Sequence, residues 1–211
     1  MDMRSRMIAI IDFGMGNVRS VQNAFSNVGF YSIVTDDIDE IKTAKAIVLP
    51  GVGAFRDAIT VLRNKKIDKV IKQVIKLNKP LLGICLGMQL LLSFSEEGGK
   101  YQGLNILSGR VKKFPSIVKS PQMGWNSIRF IRQTSQGTNL LFKGIPDNSF
   151  FYFVHSFYCQ IKEEQFASSI THYGINYVSS IRKKNLFGVQ FHPEKSSQQG
   201  LKILKNFGDL N

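Results

Sequence analysis

Residues 81–92 read LLGICLGMQLLL, an apolar run in which Cys85 has a glycine two positions away on each side. The start of the run is typical of a buried strand, and the residues from about Gly87 are typical of a helix, which we expect to continue through Phe94. The run is too short, and too interrupted by Gly83, to cross a membrane. A strand, a tight glycine-flanked turn and a helix present the cysteine at the carboxyl edge of a sheet, where open α/β folds place their sites.

The sequence before this run alternates between strand and helix patterns. Short apolar stretches typical of strands occur at 8–13, 31–35 and 46–50. Apolar residues recur at helical spacing over 18–28, 54–62 and 66–77. Asn17 is placed to cap the first of these helices. Strands that alternate with helices predict a parallel sheet covered on both faces.

After about residue 100 the pattern changes to short strand-like segments separated by turn residues. These segments predict antiparallel additions to the sheet. The stretch SSQQGLKILKNF at 196–207 has apolar residues at helical spacing and predicts a last helix that packs on the sheet. We therefore predict one α/β domain over residues 1–211, with an open, mostly parallel sheet flanked by helices.

The charge of the chain narrows the classes of partner. Lys and Arg number 28 against 15 Asp and Glu, which gives a formal net charge of +13. Such a charge suits nucleic acid, an acidic partner protein or an anionic substrate. The densest basic group, at 63–79, lies opposite the apolar face of a predicted helix and is typical of a solvated helix face. The rest is scattered, which is a poor footprint for nucleic acid.

Two further features bear on the compartment. Cys85 and Cys159 are the only cysteines and could form one disulfide, too few for a secreted disulfide scaffold. The N-terminus lacks the long apolar core and the cleavage site of a secretory signal. These features predict a cytoplasmic protein.

A candidate base follows the last predicted strand. FGVQFHPEKS at 187–196 ends in His192, Pro193 and Glu194. Residues two apart in an extended segment project to the same side, so Glu194 can hold the imidazole while its other nitrogen faces a thiol. With Cys85 this makes a nucleophile, a base and an orienting carboxylate. A buried core cysteine and an ordinary surface turn remain the alternatives, and His155, with no nearby carboxylate in sequence, is a weaker candidate base.

Six motifs carry a resemblance to a known family. PGVGAF (50–55), GICLGMQLL (83–91) and VQFHPEKS (189–196) occur in the order and spacing of the class I glutamine amidotransferases, which the chain resembles. PQMGWN (121–126), FYFVHSF (151–157) and GMGNVRSV (14–21) are similar to the glutaminase subunits of imidazole glycerol phosphate synthases. The resemblance implies a flavodoxin-like fold in a single class I glutamine amidotransferase domain. It begins near Met7 and leaves residues 1–6 as a short N-terminal extension.

The resemblance implies a thiol mechanism. Cys85 would attack the side-chain amide of glutamine, while His192, oriented by Glu194, would protonate the departing ammonia and then activate water. The products would be glutamate and ammonia, and no cofactor or metal is implied. Backbone N–H groups of Leu86 and Val52 would stabilise the oxyanion.

Further roles are implied around these groups. Gly51 and Gly53, which flank Val52, would let that loop reorient to complete the oxyanion hole. The residues implied to hold the substrate glutamine are Gln89, Glu97, His155 and Ser156.

The resemblance also implies a partner. Such glutaminases form a heterodimer with a (βα)8-barrel synthase and pass ammonia through its interior. That synthase makes imidazole glycerol phosphate and the aminoimidazole carboxamide ribotide, AICAR, in histidine biosynthesis. Asn17, Gln122 and Trp125 would lie at the interface, where an exposed aromatic side chain suits an anchor.

Two departures from the family pattern keep alternatives open. Gln122 stands where the family has a histidine, and Asn105 replaces a glycine. Neither belongs to the triad, but both leave room for the same chemistry to supply another acceptor, such as a surface-sugar amidotransferase. A basic nucleic-acid-binding protein with an idle cysteine is the remaining alternative, and it predicts no release of glutamate from glutamine.

Overall fold

The structure, a computed structural model, describes residues 7–131 and 140–210. The expected extension at residues 1–6 lies outside the described residues. In the described ranges no helix is both long and apolar enough to cross a membrane.

The first half of the chain alternates between strands and helices as predicted. Its elements are β1 (Ile8–Ile11), α1 (Val18–Asn27), β2 (Ser32–Thr35), α2 (Ile38–Thr43), β3 (Ala46–Leu49), α3 (Phe55–Asn64), α4 (Ile67–Lys76), β4 (Leu81–Ile84) and α5 (Leu86–Leu90). Helix α2 was not predicted. Its signal is Asp37, whose side chain accepts hydrogen bonds from the backbone N–H groups of Asp39 and Glu40. Asn17 occupies the N-cap position of α1, but its side chain makes no capping hydrogen bond, so that prediction is wrong.

The second half is dominated by strands. They are β5 (Leu92–Ser95), β6 (Tyr101–Gln102), β7 (Leu107–Lys113), β8 (Gln122–Ser127), β9 (Arg129–Phe130), β10 (Phe150–His155), β11 (Phe157–Ile161), β12 (Ala167–Tyr173), β13 (Ile175–Lys183) and β14 (Leu186–Val189). The predicted last helix is α6 (Ser197–Gly208).

One large sheet organises the described residues, in the order β2-β1-β3-β4-β14-β13-β11-β7-β5-β6, with β12 beside β13 and β9 beside β12. Strands β2, β1, β3, β4 and β14 run parallel, and β13 is antiparallel to β14. Strands β8 and β10 form a separate antiparallel pair. The predicted fold class, a mostly parallel sheet with antiparallel additions, is confirmed.

Helices cover both faces of the parallel strands because neighbouring residues of each buried strand point to opposite sides. Along β3, Ile47 joins the apolar cluster that includes the buried faces of α3 and α4. Val48 joins the opposite cluster, which includes residues of α1 and α6. There Phe25 and Phe207 pack with ring centroids 6.3 Å apart. The carboxyl ends of β1, β3, β4 and β14 are thereby held at one edge of a rigid sheet.

The predicted helix through Phe94 is wrong, because α5 ends at Leu90 and β5 begins at Leu92. The backbone N–H groups of Leu104 and Ile106 donate to the carbonyl oxygens of Leu90 and Leu91, both at 2.9 Å. A continuing helix would need those carbonyls for its own hydrogen bonds. A pairing with residues distant in sequence therefore ends the helix.

Candidate active site

Cys85 lies at the junction of β4 and α5 with φ +52° and ψ −108°, a strained conformation for a residue with a side chain. Its backbone N–H donates to the carbonyl oxygen of Val189, at the end of the neighbouring β14, at 2.8 Å. A Cβ at Gly87 would lie 1.8 Å from the carbonyl oxygen of Leu49, and a Cβ at Gly83 would lie 2.8 Å from the backbone nitrogen of Met88. Both glycines are therefore required for the close approach that presents the thiol.

His192 and Glu194 follow β14 and form a buried pair. Nδ1 of His192 and Oε1 of Glu194 are 2.8 Å apart, and the two side chains are 3% and 2% exposed. The backbone of His192 is fixed as well, because its N–H donates to the carbonyl oxygen of Tyr152 and its carbonyl accepts from the Ser196 hydroxyl. The imidazole is thus held in one orientation from two sides.

The electrostatics of this pair involve Cys85. Burial by itself lowers the pKa of His192, whereas the charge of Cys85 and the hydrogen bond and charge of Glu194 raise it to about 10. The proton therefore resides on His192 at neutral pH. In the structure as described, Nε2 of His192 is buried without a hydrogen-bond partner of its own.

A cavity of about 300 Å³ opens beside the thiol. It is lined by all four residues predicted to hold glutamine, Gln89, Glu97, His155 and Ser156, and by Val52, Gly53, Cys85 and Leu86. Two amide or carboxyl groups in this wall are already partly engaged. Nε2 of Gln89 donates to the carbonyl oxygen of Phe157 at 2.9 Å, and Oε2 of Glu97 accepts from the backbone N–H of Phe55 at 2.9 Å.

His155 is not the base of this site. Burial is the largest influence on it and lowers its pKa to about 4, so the ring is neutral. Its Nδ1 is 2.8 Å from the carbonyl oxygen of Phe157, and its Nε2 is 3.4 Å from the hydroxyl of Tyr177. These contacts make it a rigid wall of the cavity.

The two backbone N–H groups predicted to bind the oxyanion differ in whether they already make a hydrogen bond. The N–H of Leu86 is at the first position of α5, where no helical carbonyl can pair with it, so it is available beside Cys85. The N–H of Val52 instead donates to the carbonyl oxygen of Met15 at 3.3 Å. Only one of the two donors is therefore free in this conformation. Gly53, at φ +94°, lies beside the side chain of Met15.

The three residues predicted to contact a partner differ in how far their side chains are exposed. Trp125 is 53% exposed on β8, and its ring packs edge-on against Tyr152 of β10 with centroids 6.3 Å apart. Asn17 is half-buried at the start of α1. Gln122 is 3% exposed, and its Oε1 accepts a hydrogen bond from the Tyr177 hydroxyl at 2.9 Å. Its side chain supports the cavity wall through Tyr177 and points away from the exposed side of β8, so its contact with a partner stays a prediction.

Sequence reasoning missed Gln190, which is fully buried two residues before His192. Its Nε2 donates to Sγ of Cys85 at 3.6 Å, and its Oε1 accepts from Nε2 of Gln89 at 3.1 Å. Its sequence position gave no signal, because β14 ends at Val189 and the alternation of a strand does not extend to residues 190–192. The other cysteine, Cys159, is 1% exposed, and burial raises the pKa of its thiol, which leaves it inert.

The chain matches the family described as glutamine amidotransferase class-I over residues 9–209. It is 53% identical over 205 residues to the imidazole glycerol phosphate synthase subunit HisH of Moorella thermoacetica, covering 97% of this chain and 95% of that protein. The HisH subunit of Caldanaerobacter subterraneus subsp. tengcongensis is 50% identical over 204 residues, covering 97% and 98%. The solved structure of PurLQS from Thermotoga maritima superposes with a TM-score of 0.72 at 19% identity, over 97% of this chain and 98% of that one, which speaks for the fold alone. The chain therefore belongs to the class I glutamine amidotransferases and, within them, to the HisH subunits of imidazole glycerol phosphate synthase.

Proposed function

We propose that this chain hydrolyses glutamine to glutamate and ammonia with a triad of Cys85, His192 and Glu194. The ammonia would pass to a (βα)8-barrel synthase partner that makes imidazole glycerol phosphate and AICAR in histidine biosynthesis. The observation that carries the proposal is a strained cysteine that lines a cavity of about 300 Å³ and interacts electrostatically with a buried histidine–carboxylate pair. Membership of the HisH subunits supports the histidine-pathway acceptor over a surface-sugar acceptor.

In the first half of the reaction, the Cys85 thiolate attacks the amide carbon of the substrate side chain. The proton needed by the leaving amine is already on His192, whose pKa is raised to about 10 against the opposing effect of burial. As the carbon–nitrogen bond breaks, His192 gives this proton to the leaving group and ammonia departs. A γ-glutamyl thioester on Cys85 and a neutral imidazole remain.

In the second half, the same histidine acts as a base. Thioester formation removes the charge of Cys85, the strongest of the interactions that oppose burial and raise the pKa of His192. The imidazole then stays neutral at neutral pH and takes a proton from the attacking water. Collapse of the tetrahedral intermediate breaks the carbon–sulfur bond, releases glutamate and restores the thiolate–imidazolium pair. Glu194 holds the ring in place through both halves, because its carboxylate is bound to Nδ1.

The oxyanion hole is the proposed point of control. Leu86 supplies one N–H, and the N–H of Val52 must leave the Met15 carbonyl before it can supply the second. A rotation of the peptide between Gly51 and Val52 would break this 3.3 Å hydrogen bond. Glutaminase activity should accordingly be low in the isolated chain and rise when the partner and its nucleotide ligand favour the rotated peptide.

The proposed interface is the exposed side of β8 and β10. Met123 is 65% exposed and Trp125 53% exposed, and Nζ of Lys195 lies 6.0 Å from the ring centre of Tyr152. An aromatic pair with a neighbouring cation is typical of an interface anchor. Strand β10 also reaches the active site, since the carbonyl oxygen of Tyr152 binds the backbone N–H of His192. A partner bound to this surface would therefore contact the strand that is hydrogen-bonded to the backbone of His192.

The decisive experiment is a glutaminase assay of the chain alone, with the synthase partner, and with the partner and its nucleotide ligand. Cys85→Ala should abolish synthase turnover driven by glutamine and leave turnover driven by added ammonium salts intact. Cys159→Ala is the matched control, because it removes the other thiol, which lies outside the proposed machinery, and should retain glutamine-driven turnover. Glutamine hydrolysis by Cys85→Ala at the wild-type rate would contradict the mechanism.

A further inference from the structure

Gln190 is a polar side chain that contacts the Cys85 thiol and does not belong to the proposed triad. Its backbone N–H donates to the carbonyl oxygen of Ser179 at 2.9 Å, in the neighbouring strand β13. The hydrogen bond from Cys85 to Val189 joins the residue just before Gln190 to the junction of β4 and α5. The position of its amide relative to Sγ is therefore set by the sheet.

The amide of Gln190 has a defined polarity. Nε2 donates to Sγ of Cys85 at 3.6 Å, a distance suited to a hydrogen bond to sulfur, and Oε1 accepts from Gln89 at 3.1 Å. Reversing the amide would place an oxygen against the thiolate and would bring N–H groups of Gln190 and Gln89 against each other, although Gln190 is fully buried. The charge of the sulfur thus favours one orientation of Gln190.

This orientation is transmitted to the substrate cavity. Gln89 must turn its NH2 group toward Oε1 of Gln190, and the second N–H of that group donates to the carbonyl oxygen of Phe157 at 2.9 Å. Both donors of Gln89 are then used, so Oε1 of Gln89 is the part of its amide left for the cavity that this residue lines. The thiolate, Gln190 and Gln89 form a chain in which each amide fixes the next.

We infer that Gln190 is a positioning residue of the glutaminase reaction, which donates a hydrogen bond to the Cys85 thiolate and orients Gln89 so that a carbonyl oxygen, an acceptor for an N–H group of the substrate, faces the cavity. This inference rests on the proposed function. His192 and Gln190, two residues apart in sequence, then act on Cys85 as a proton donor and a permanent dipole. The dipole remains after His192 has given up its proton.

Two substitutions separate this role from mere filling of space. Gln190→Met keeps approximate volume and loses both hydrogen bonds. Gln190→Glu keeps an acceptor for Gln89 but places a carboxylate against the sulfur. If Gln190 only filled space and accepted a hydrogen bond from Gln89, Gln190→Glu would impair the enzyme less than Gln190→Met. If it serves the thiolate, Glu is at least as harmful as Met. Gln73→Met, on the exposed face of α4, is the matched control.

The measurement is the rate of Cys85 alkylation by iodoacetamide against pH in the reconstituted complex with the synthase partner, with steady-state glutaminase kinetics beside it. Loss of a hydrogen bond to a charged group should move the alkylation profile of Gln190→Met about one pH unit upward and reduce kcat/KM by about tenfold or more. Gln190→Glu should move the profile at least as far, and KM for glutamine should rise in Gln190→Met because Gln89 is released. Thermal unfolding checks that each variant is folded.

The outcomes are distinguishable from failure of the proposed function. If the wild-type complex releases no glutamate from glutamine, the proposed function fails, whereas the alkylation profiles still report on Gln190. If the wild type is active and folded Gln190 variants keep the wild-type alkylation profile, the inference about Gln190 is overturned and the triad stands. A Glu variant that is more reactive than the Met variant would likewise overturn it.

Discussion

Replacing Cys85 by alanine should return the pKa of His192 to near neutrality. Burial lowers that pKa, and the charge of Cys85 followed by Glu194 raises it from 6.5 to about 10, a net preference for imidazolium of about 5 kcal/mol. Opposite unit charges about 4 Å apart interact with about 4 kcal/mol at an effective dielectric constant of about 20, equivalent to about three pH units. Removing the sulfur should therefore bring the pKa of His192 to about 7. The variant reproduces the charge state of the thioester.

The assay is an NMR titration of histidine-labelled protein, which is tractable because the chain has 3 histidines. In the wild type the His192 ring should stay protonated to about pH 9, and in Cys85→Ala it should titrate near pH 7. His155, whose pKa burial lowers to about 4, stays neutral in both proteins and is an internal reference. A His192 midpoint that changes by less than about half a pH unit would show that Glu194 alone holds the proton. The proposed change of His192 from acid to base would then be refuted.

Three further outcomes are expected. Because the folded-state pKa of His192 is raised, its stabilisation is lost as pH rises through about 10, so urea unfolding should show the wild type losing more stability than Cys85→Ala between about pH 8.5, where an unfolded cysteine deprotonates, and about pH 10; equal losses would exclude the ion pair. Trp125→Ala should weaken binding of the synthase partner by about 2 kcal/mol, or about 30-fold in Kd by calorimetry, whereas Leu77→Ala, 63% exposed at the far end of α4, should not. Gly87→Ala should lower the free energy of unfolding by about 3 kcal/mol or more and lower Tm by about 10 °C, because its Cβ would overlap a backbone oxygen at 1.8 Å; an unchanged Tm would contradict the close packing at the junction of β4 and α5.

The features predicted correctly from sequence are those with local causes. The glycines around Cys85 mark a turn that no side chain fits, and apolar spacing marks the strand before it. His192 and Glu194 are two residues apart, so their pairing needs no knowledge of the rest of the fold, although a 3-10 helix at Pro193–Lys195 brings them together and the predicted extended segment is wrong. These local signals were enough to predict the strand–turn–helix junction and the pairing of the base with its carboxylate.

The features missed from sequence depend on contacts between distant segments. Helix α5 ends early because residues 104–107 compete for its carbonyls. Gln122 looked like a surface residue in a motif with an exposed tryptophan, but alternation along β8 turns it inward to Tyr177. Gln190 is chemically ordinary in sequence, and only the register of β14 beside β4 brings it to the sulfur. Such contacts are set by sheet register, which a short motif does not encode.

The backbone hydrogen bonds of the site fall into two classes, and the difference bears on control. Cys85 to Val189, at 2.8 Å, joins the ends of two buried parallel strands and would break only with the sheet. Val52 to Met15, at 3.3 Å, joins two loops, and Val52 is 42% exposed. A long hydrogen bond near water contributes little net stability, so exchanging it for one to a developing oxyanion requires only a small bias from the partner. We infer that the nucleophile and base are built in permanently and that the second oxyanion donor is the part left adjustable.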